Sequence, residues 1–264
     1  MKDDIIKVEN FSVVDDSEKA SYDIQVATAK RYPRNIEKAK INSIAMATAT
    51  KEIAESCGYA LPRSGRTISG PSVHLARIIA QNWGNLRVES RIKEIRHSQI
   101  VSEAVCFDLE MNYAVKVEVI RSILDKNRKR YNEDMITVTG NAANSISYRN
   151  AVFAVVNKGI VDAVYNETRK ILTKDISNKD KLTKRRDDAL KLFKDAYGAS
   201  QEDILNLLEL KSIDQINQEH LITLIGVIQS IKDGDSKPSD LFPKKTVEQK
   251  KEAMKVSQTK MQMP

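Results

Sequence analysis

The sequence predicts an α+β fold: a small antiparallel three-stranded sheet packed with helices, followed by a small all-helical C-terminal module and flexible tails. Three observations predict it. Apolar residues keep helical spacing through most of the chain, but between Leu86 and Ile123 the period drops from 3.6 to 2. The lysine-rich stretch Thr173 to Lys181 reads as a linker between two modules. The chain of 264 residues, 41% of them apolar, is long enough for one substantial core and an appendage. The expected boundaries are 1–18 for an acidic N-terminal tail, 19–172 for the α+β core, 173–235 for the helical module and 236–264 for a C-terminal tail.

In chain order, a short helix should end near Tyr32-Pro33, and the small-residue run Ile44-Ala-Met-Ala-Thr-Ala-Thr50 lies in a helix expected over 35–55. Turn residues between Gly58 and Ile68 predict a tight loop or hairpin with Arg63 and Arg66 at its tip. Gly70-Pro71 opens the next helix, whose buried face is Val73, Leu75, Ala76, Ile79, Ala80 and Trp83, with His74, Arg77 and Gln81 opposite. Three strands follow at about 86–96, 99–109 and 113–123, joined at His97-Ser98 and Met111-Asn112. On the first of them Arg87, Glu89, Arg91 and Lys93 share a face, expected to be wet and predominantly basic.

A charged loop from Asp125 to Tyr131 leads to a helix expected over 141–156, on which Asn141, Asn144, Ser145 and Tyr148 share a polar stripe beside Arg149. Helices expected over 160–172, 182–197, 201–209 and 217–232 complete the chain, the last capped by Asn217. The C-terminal module of about 55 residues is marginal alone and needs the core or a partner to lean on.

The net charge is +7 and the pI is near 9.2, although the first seventeen residues are acidic. A basic balance favours a polyanionic partner through counterion release. Two distant cysteines, Cys57 and Cys106, build neither a disulfide framework nor a four-ligand zinc site, which suits a reducing, cytoplasmic setting. No apolar run approaches the roughly 20 residues that span a bilayer, so no membrane role is expected.

No catalytic constellation is legible. Gly58 to Thr67 ends Gly65-Arg66-Thr67 like a phosphate-binding loop, but its glycine spacing is wrong and arginine replaces the lysine. Asp108 and Glu110 could share a face and hold Mg2+; the sequence calls for no other cofactor. A nuclease would also need an Asp/Glu-x-Lys in the sheet, which is missing. His74, His97 and His220 have neither metal nor triad spacing.

The stronger signal is basic. Arg63, Arg66, Arg77, Arg87, Arg91, Lys93, Arg121, Lys126, Arg128, Lys129, Arg130 and Arg149 come from loops, a helix face and a sheet face, interleaved with Tyr59, Tyr113, Tyr131 and Tyr148. Cations that track phosphates and rings that stack bases suit a single-stranded nucleic acid. The expected groove lies between the basic sheet face and the helix carrying Asn141, Asn144, Tyr148 and Arg149, closed by the 126–131 loop and Arg63/Arg66. The rivals are an adaptor that recruits a partner through its C-terminal helices, and a metal-dependent nuclease on Asp108 and Glu110.

Several segments carry a resemblance: Tyr32-Pro-Arg34, Glu55-Ser-Cys-Gly-Tyr-Ala-Leu-Pro-Arg63, Gly70-Pro-Ser72, Trp83-Gly84, Thr139-Gly-Asn-Ala-Ala143 and Arg149-Asn-Ala151. Together they resemble the phage-encoded single-strand annealing proteins of the broad RecT, Red-beta and ERF group, as a divergent branch, over residues 20–172. That resemblance implies an ATP-independent, non-catalytic protein that coats single-stranded DNA and anneals complementary strands in homologous recombination. It also implies an α+β core with a positively charged groove, assembly into rings or helical filaments, and a C-terminal portion that engages an exonuclease or a single-strand-binding protein.

Overall fold

A computed structural model describes residues 16–63, 66–174 and 179–242. It has the α+β architecture that the change of period predicts. The chain opens with α1 (Asp16–Arg31), α2 (Ile36–Ala47) and α3 (Lys51–Ser56). The hairpin β1 (Gly58–Arg63) and β2 (Arg66–Pro71) follows, then α4 (Val73–Trp83). Next comes the meander β3 (Leu86–Ile95), β4 (Gln99–Asp108) and β5 (Tyr113–Ser122), in spatial order 3-4-5 and antiparallel throughout. The helices α5 (Glu133–Val155), α6 (Lys158–Lys174), α7 (Lys179–Tyr197), α8 (Gln201–Leu207), α9 (Gln218–Lys232) and α10 (Pro238–Leu241) complete the described chain. The expected acidic tail falls outside the described residues up to position 15, and α1 begins within it.

Several boundaries depart from expectation for identifiable reasons. Gly70-Pro71, expected to open a helix, ends β2 instead, and Ser72 caps α4 by accepting from the His74 and Leu75 amides. The helix expected over 35–55 is broken: α2 ends at Ala47, and Thr50 starts α3 as an N-cap accepting from the Ile53 amide. The helix expected from Asn141 begins eight residues earlier. There Asn132 caps the Met135 amide, and Glu133 and Asp134 favour the positive end of the helix dipole. Gly140, one residue before the expected start, lies inside α5, where a Cβ would come within 3.1 Å of Ile100 on the sheet. Finally, residues 236–242 are not part of a tail. Pro238–Leu241 is helical, and the ring of Phe242 sits edge-on to Phe193, centroids 5.7 Å apart.

The meander is a two-sided sheet. Ile92, Ile100, Ser102, Ala104 and Cys106 point to the face that α5 covers, where Leu75, Ile79, Trp83 and Val152 form the main core. The Ser102 hydroxyl donates to Asn144 Oδ1 at 2.6 Å and lies 2.8 Å from Ser147 Oγ, satisfying polar groups that burial would otherwise penalise. A further core holds Phe193, Ile204, Ile216, Leu224 and Val227, and Ala60 of β1 belongs to it. The C-terminal helices thus pack on the β1–β2 hairpin. Gly226 of α9 makes this contact possible, since a Cβ there would stand 2.8 Å from the Ala60 backbone nitrogen. Ser230 Oγ, in the next turn, donates to the Ala60 carbonyl at 2.8 Å.

Candidate nucleic-acid interface

The groove expected between the basic sheet face and α5 does not form. A half-apolar sheet buries its apolar face, so α5 lies on that side and the charged face points the other way. The charged face is moreover not predominantly basic. Arg91 pairs across the strands with Glu103 at 3.1 Å, Lys116 reaches the same carboxylate at 2.8 Å, Lys93 pairs with Glu118 and Arg87 with Glu89. Glu103 is only 4% exposed. Burial raises its carboxyl, but bonds from Lys116 and Arg91 outweigh this and hold it below the usual carboxylate range. The alternation of charge was visible for β3; the contribution of β4 and β5 to the same face required the register.

Asp108 and Glu110 do converge, and what they hold is Arg34. Its guanidinium makes a two-pronged bond to Asp108, with Nη1 to Oδ2 at 2.7 Å, while Nε and the backbone amide reach Glu110 Oε2 at 3.1 and 2.9 Å. Asn85 Nδ2 adds a bond to the same oxygen at 2.9 Å. The Arg34 guanidinium carbon also lies over Trp83, 5.1 Å from the ring centroid. Lone pairs that a cation would need are spent on an arginine, so the pair ties the start of α2 to the end of β4.

Arg149 is likewise occupied. It lies over the Tyr59 ring at 4.4 Å and pairs with Asp235 at 3.5 Å, its side chain 12% exposed. Arg121 donates to the carbonyls of Gly234 and Asp235 at 3.4 and 3.3 Å, and His74 Nε2 lies 2.9 Å from Asp233 Oδ1. These cations and His74 clasp the segment after α9 onto the core. Burial pushes the Asp235 carboxyl up, against the pull of Arg149. Arg66 is exposed at the start of β2, and the side chain of Arg63 falls outside the described residues.

What remains open is a cationic hairpin, beside the exposed acids Glu133 and Asp134 that begin α5. Ile123 to Tyr131 folds into a small hairpin rather than a plain loop: Leu124 bridges Arg130, Asp125 N donates to the Lys129 carbonyl at 2.8 Å, and Tyr131 N to Ile123 O at 2.9 Å. Arg128 takes a left-handed φ of 61° at the turn. The single acid of this turn faces inward, Asp125 Oδ1 accepting from the amides of Asn127 and Lys129, each at 2.8 Å. Lys126, Arg128 and Lys129 are exposed, and no ion pair in which they take part is found among the described residues. Arg130 pins the hairpin to the β3–β4 turn by donating to the carbonyls of Arg96 and His97 at 2.8 and 2.6 Å.

The chain matches no family model, no curated protein and no solved structure.

Two residues extend this surface beyond the sequence-based set. Lys237 lies 3.7 Å from the centroid of the Tyr131 ring, and Arg96 stands at the turn that Arg130 grips, paired with Glu94. Lys237 had a weak signal, as a lysine before Pro238; its proximity to Tyr131 depends wholly on the return of the C-terminal segment. A second open patch lies on the helices, where Arg77 stands 5.9 Å from the Tyr148 ring and Ser145 and Asn141 follow along α5. Asn144 leaves that stripe, because its side-chain oxygen is engaged by Ser102. No group of three or more potential metal ligands occurs among the described residues.

Proposed function

We propose that the protein binds single-stranded DNA and anneals complementary strands without ATP. The observation that carries this reading is the 123–131 hairpin, where the turn's one carboxylate is spent on backbone amides and three exposed cations have no ion-pair partner among the described residues. Cations held at fixed spacing on an ordered turn attract phosphate, and each phosphate neutralised releases counterions. The path runs from this hairpin and Lys237-Tyr131, at the N-terminal end of α5, along Asn141 and Ser145 to Tyr148 and Arg77. A cation stands over a half-buried ring at each end of that path, Lys237 over Tyr131 and Arg77 over Tyr148. Backbone contacts of this kind leave base edges free, so a second strand is selected by base pairing and not by side chains. The resemblance to the RecT, Red-beta and ERF group supports the same reading, including a role in recombination. The engagement of Asp108 and Glu110 by Arg34 removes the positive argument for a nuclease centre there.

The test is titration of a labelled single-stranded oligonucleotide at several salt concentrations, with the wild type and with Lys126, Arg128 and Lys129 all replaced by alanine. Each lost phosphate contact lowers the slope of log K against log salt by about 0.7. The triple variant is expected to lose between one and three such increments, and an unchanged slope removes the hairpin from the interface.

A further inference from the structure

The three-stranded sheet has two open edges, and they are not alike. β3 carries a bulge between Ile92 and Glu94, an irregularity that discourages further pairing. β5 pairs with β4 in unbroken register over ten residues, and no strand among the described residues pairs with its other side. Tyr113 and Ile120 on β5 are 52% and 56% exposed, and the strand alternates valines with single charges and contains no proline. A regular, β-branched edge of this kind is a ready template for another strand.

The sequence of β5 specifies which strand fits. When two copies pair antiparallel about Val117, Lys116 of each lies directly across from Glu118 of the other. Val115 then meets Val119, and Ala114 meets Ile120. Side chains opposite each other in an antiparallel pair share a face, so identical strands must be centred on a residue, which leaves few registers. Centring on Lys116 or on Glu118 sets like charges against each other, and centring on Val115 or Val119 puts no opposite charge across the seam from either residue, leaving each only its partner within the chain, Glu103 for Lys116 and Lys93 for Glu118. Only the Val117 register satisfies both.

We propose that β5 is the seam of a two-fold symmetric pair, in which a second copy of this chain adds its own β5 and makes one six-stranded sheet. Such an isologous contact closes on itself and exhausts the regular edges. It rests on the register and charge pattern of β5 and is independent of the nucleic-acid reading, because it is tested without nucleic acid.

The test is sedimentation equilibrium of the full chain, wild type beside Lys116→Glu, Glu118→Lys and the double exchange. Each single exchange sets like charges across both halves of the seam and is expected to weaken association by roughly tenfold or more. The double exchange restores opposite charges and should recover most of the wild-type affinity. It also keeps Glu103 partnered, since position 118 lies directly across from Glu103 on β4. Circular dichroism of each variant separates weakened association from misfolding. Oxidative cross-linking gives an arm that does not depend on charge. Val117→Cys should give a covalent dimer, and Tyr113→Cys, whose own copy lies at the far end of the seam, should not. A wild type that stays monomeric at tens of micromolar, single exchanges without effect, or equal cross-linking at both positions would overturn the proposal.

Discussion

Arg34 shows how a residue read as part of a family likeness serves the fold. It joins the loop before α2 to the β4 end through Asp108 and Glu110, and packs on Trp83. The side chains of Arg34 and Asp108 are each 6% exposed, so truncation strands a buried carboxylate. Arg34→Ala is expected to cost about 3–5 kcal/mol in urea denaturation, with Asp108→Asn costing less because Glu110 still pairs with the Arg34 guanidinium. The backbone amide of Arg34 holds Glu110 below the usual carboxylate range; burial opposes this, and Asn85 and the Arg34 guanidinium reinforce it. Glu103 is also depressed, its bonds to Lys116 and Arg91 outweighing burial. A depressed folded pKa contributes stability that is present above the unfolded value, about 4.3 for glutamate, and is lost as pH falls through the folded value. Thermal melts should therefore fall steeply below that range, and Glu103→Gln should flatten the fall. Burial pushes the thiols of Cys57 and Cys106 up to about 12, so both should resist alkylation in the native protein.

At the scale of elements, periodicity made the sheet legible almost to the residue, because β5 and most of β3 alternate, β4 between them is an unbroken, mostly buried run, and turn residues such as Asn112, at a φ of 52°, mark the connections. Helix breaks were less visible. Thr48 to Thr50 interrupts α2 and α3 without glycine or proline, and Gly140 inside α5 looks like punctuation until its contact with Ile92 and Ile100 is known. The site was legible as a list of cations and illegible as a surface. Arg91, Lys93, Arg121 and Arg149 are cationic residues whose partners, Glu103, Glu118, the Gly234–Asp235 carbonyls and Asp235, lie far away in sequence. Lys126, Arg128 and Lys129 stand out because their nearest acid, Asp125, is turned inward. The packing of α9 on β1 depends on Gly226. Gly226→Ala is expected to lower stability by about 1–3 kcal/mol and to increase protease cleavage around α9, with the β3–β5 sheet keeping its amide protection.

At the scale of the whole molecule, the chain combines a rigid core, helices clasped to that core through Asp233 and Asp235, and one cationic end built from sheet turns and the returning C-terminal segment. No described helix is long and apolar enough to cross a membrane. This cationic end is proposed to hold single strands ready for pairing. The most direct measurement is the annealing rate of two dye-labelled complementary oligonucleotides, without ATP, at two salt concentrations, with the wild type and the Lys126/Arg128/Lys129 triple alanine variant. Strong acceleration by the wild type, weaker at high salt and largely lost in the variant with the oligonucleotides left intact, is the expected result. Annealing no faster than with buffer alone, or a variant as fast as the wild type at both salts, would contradict it.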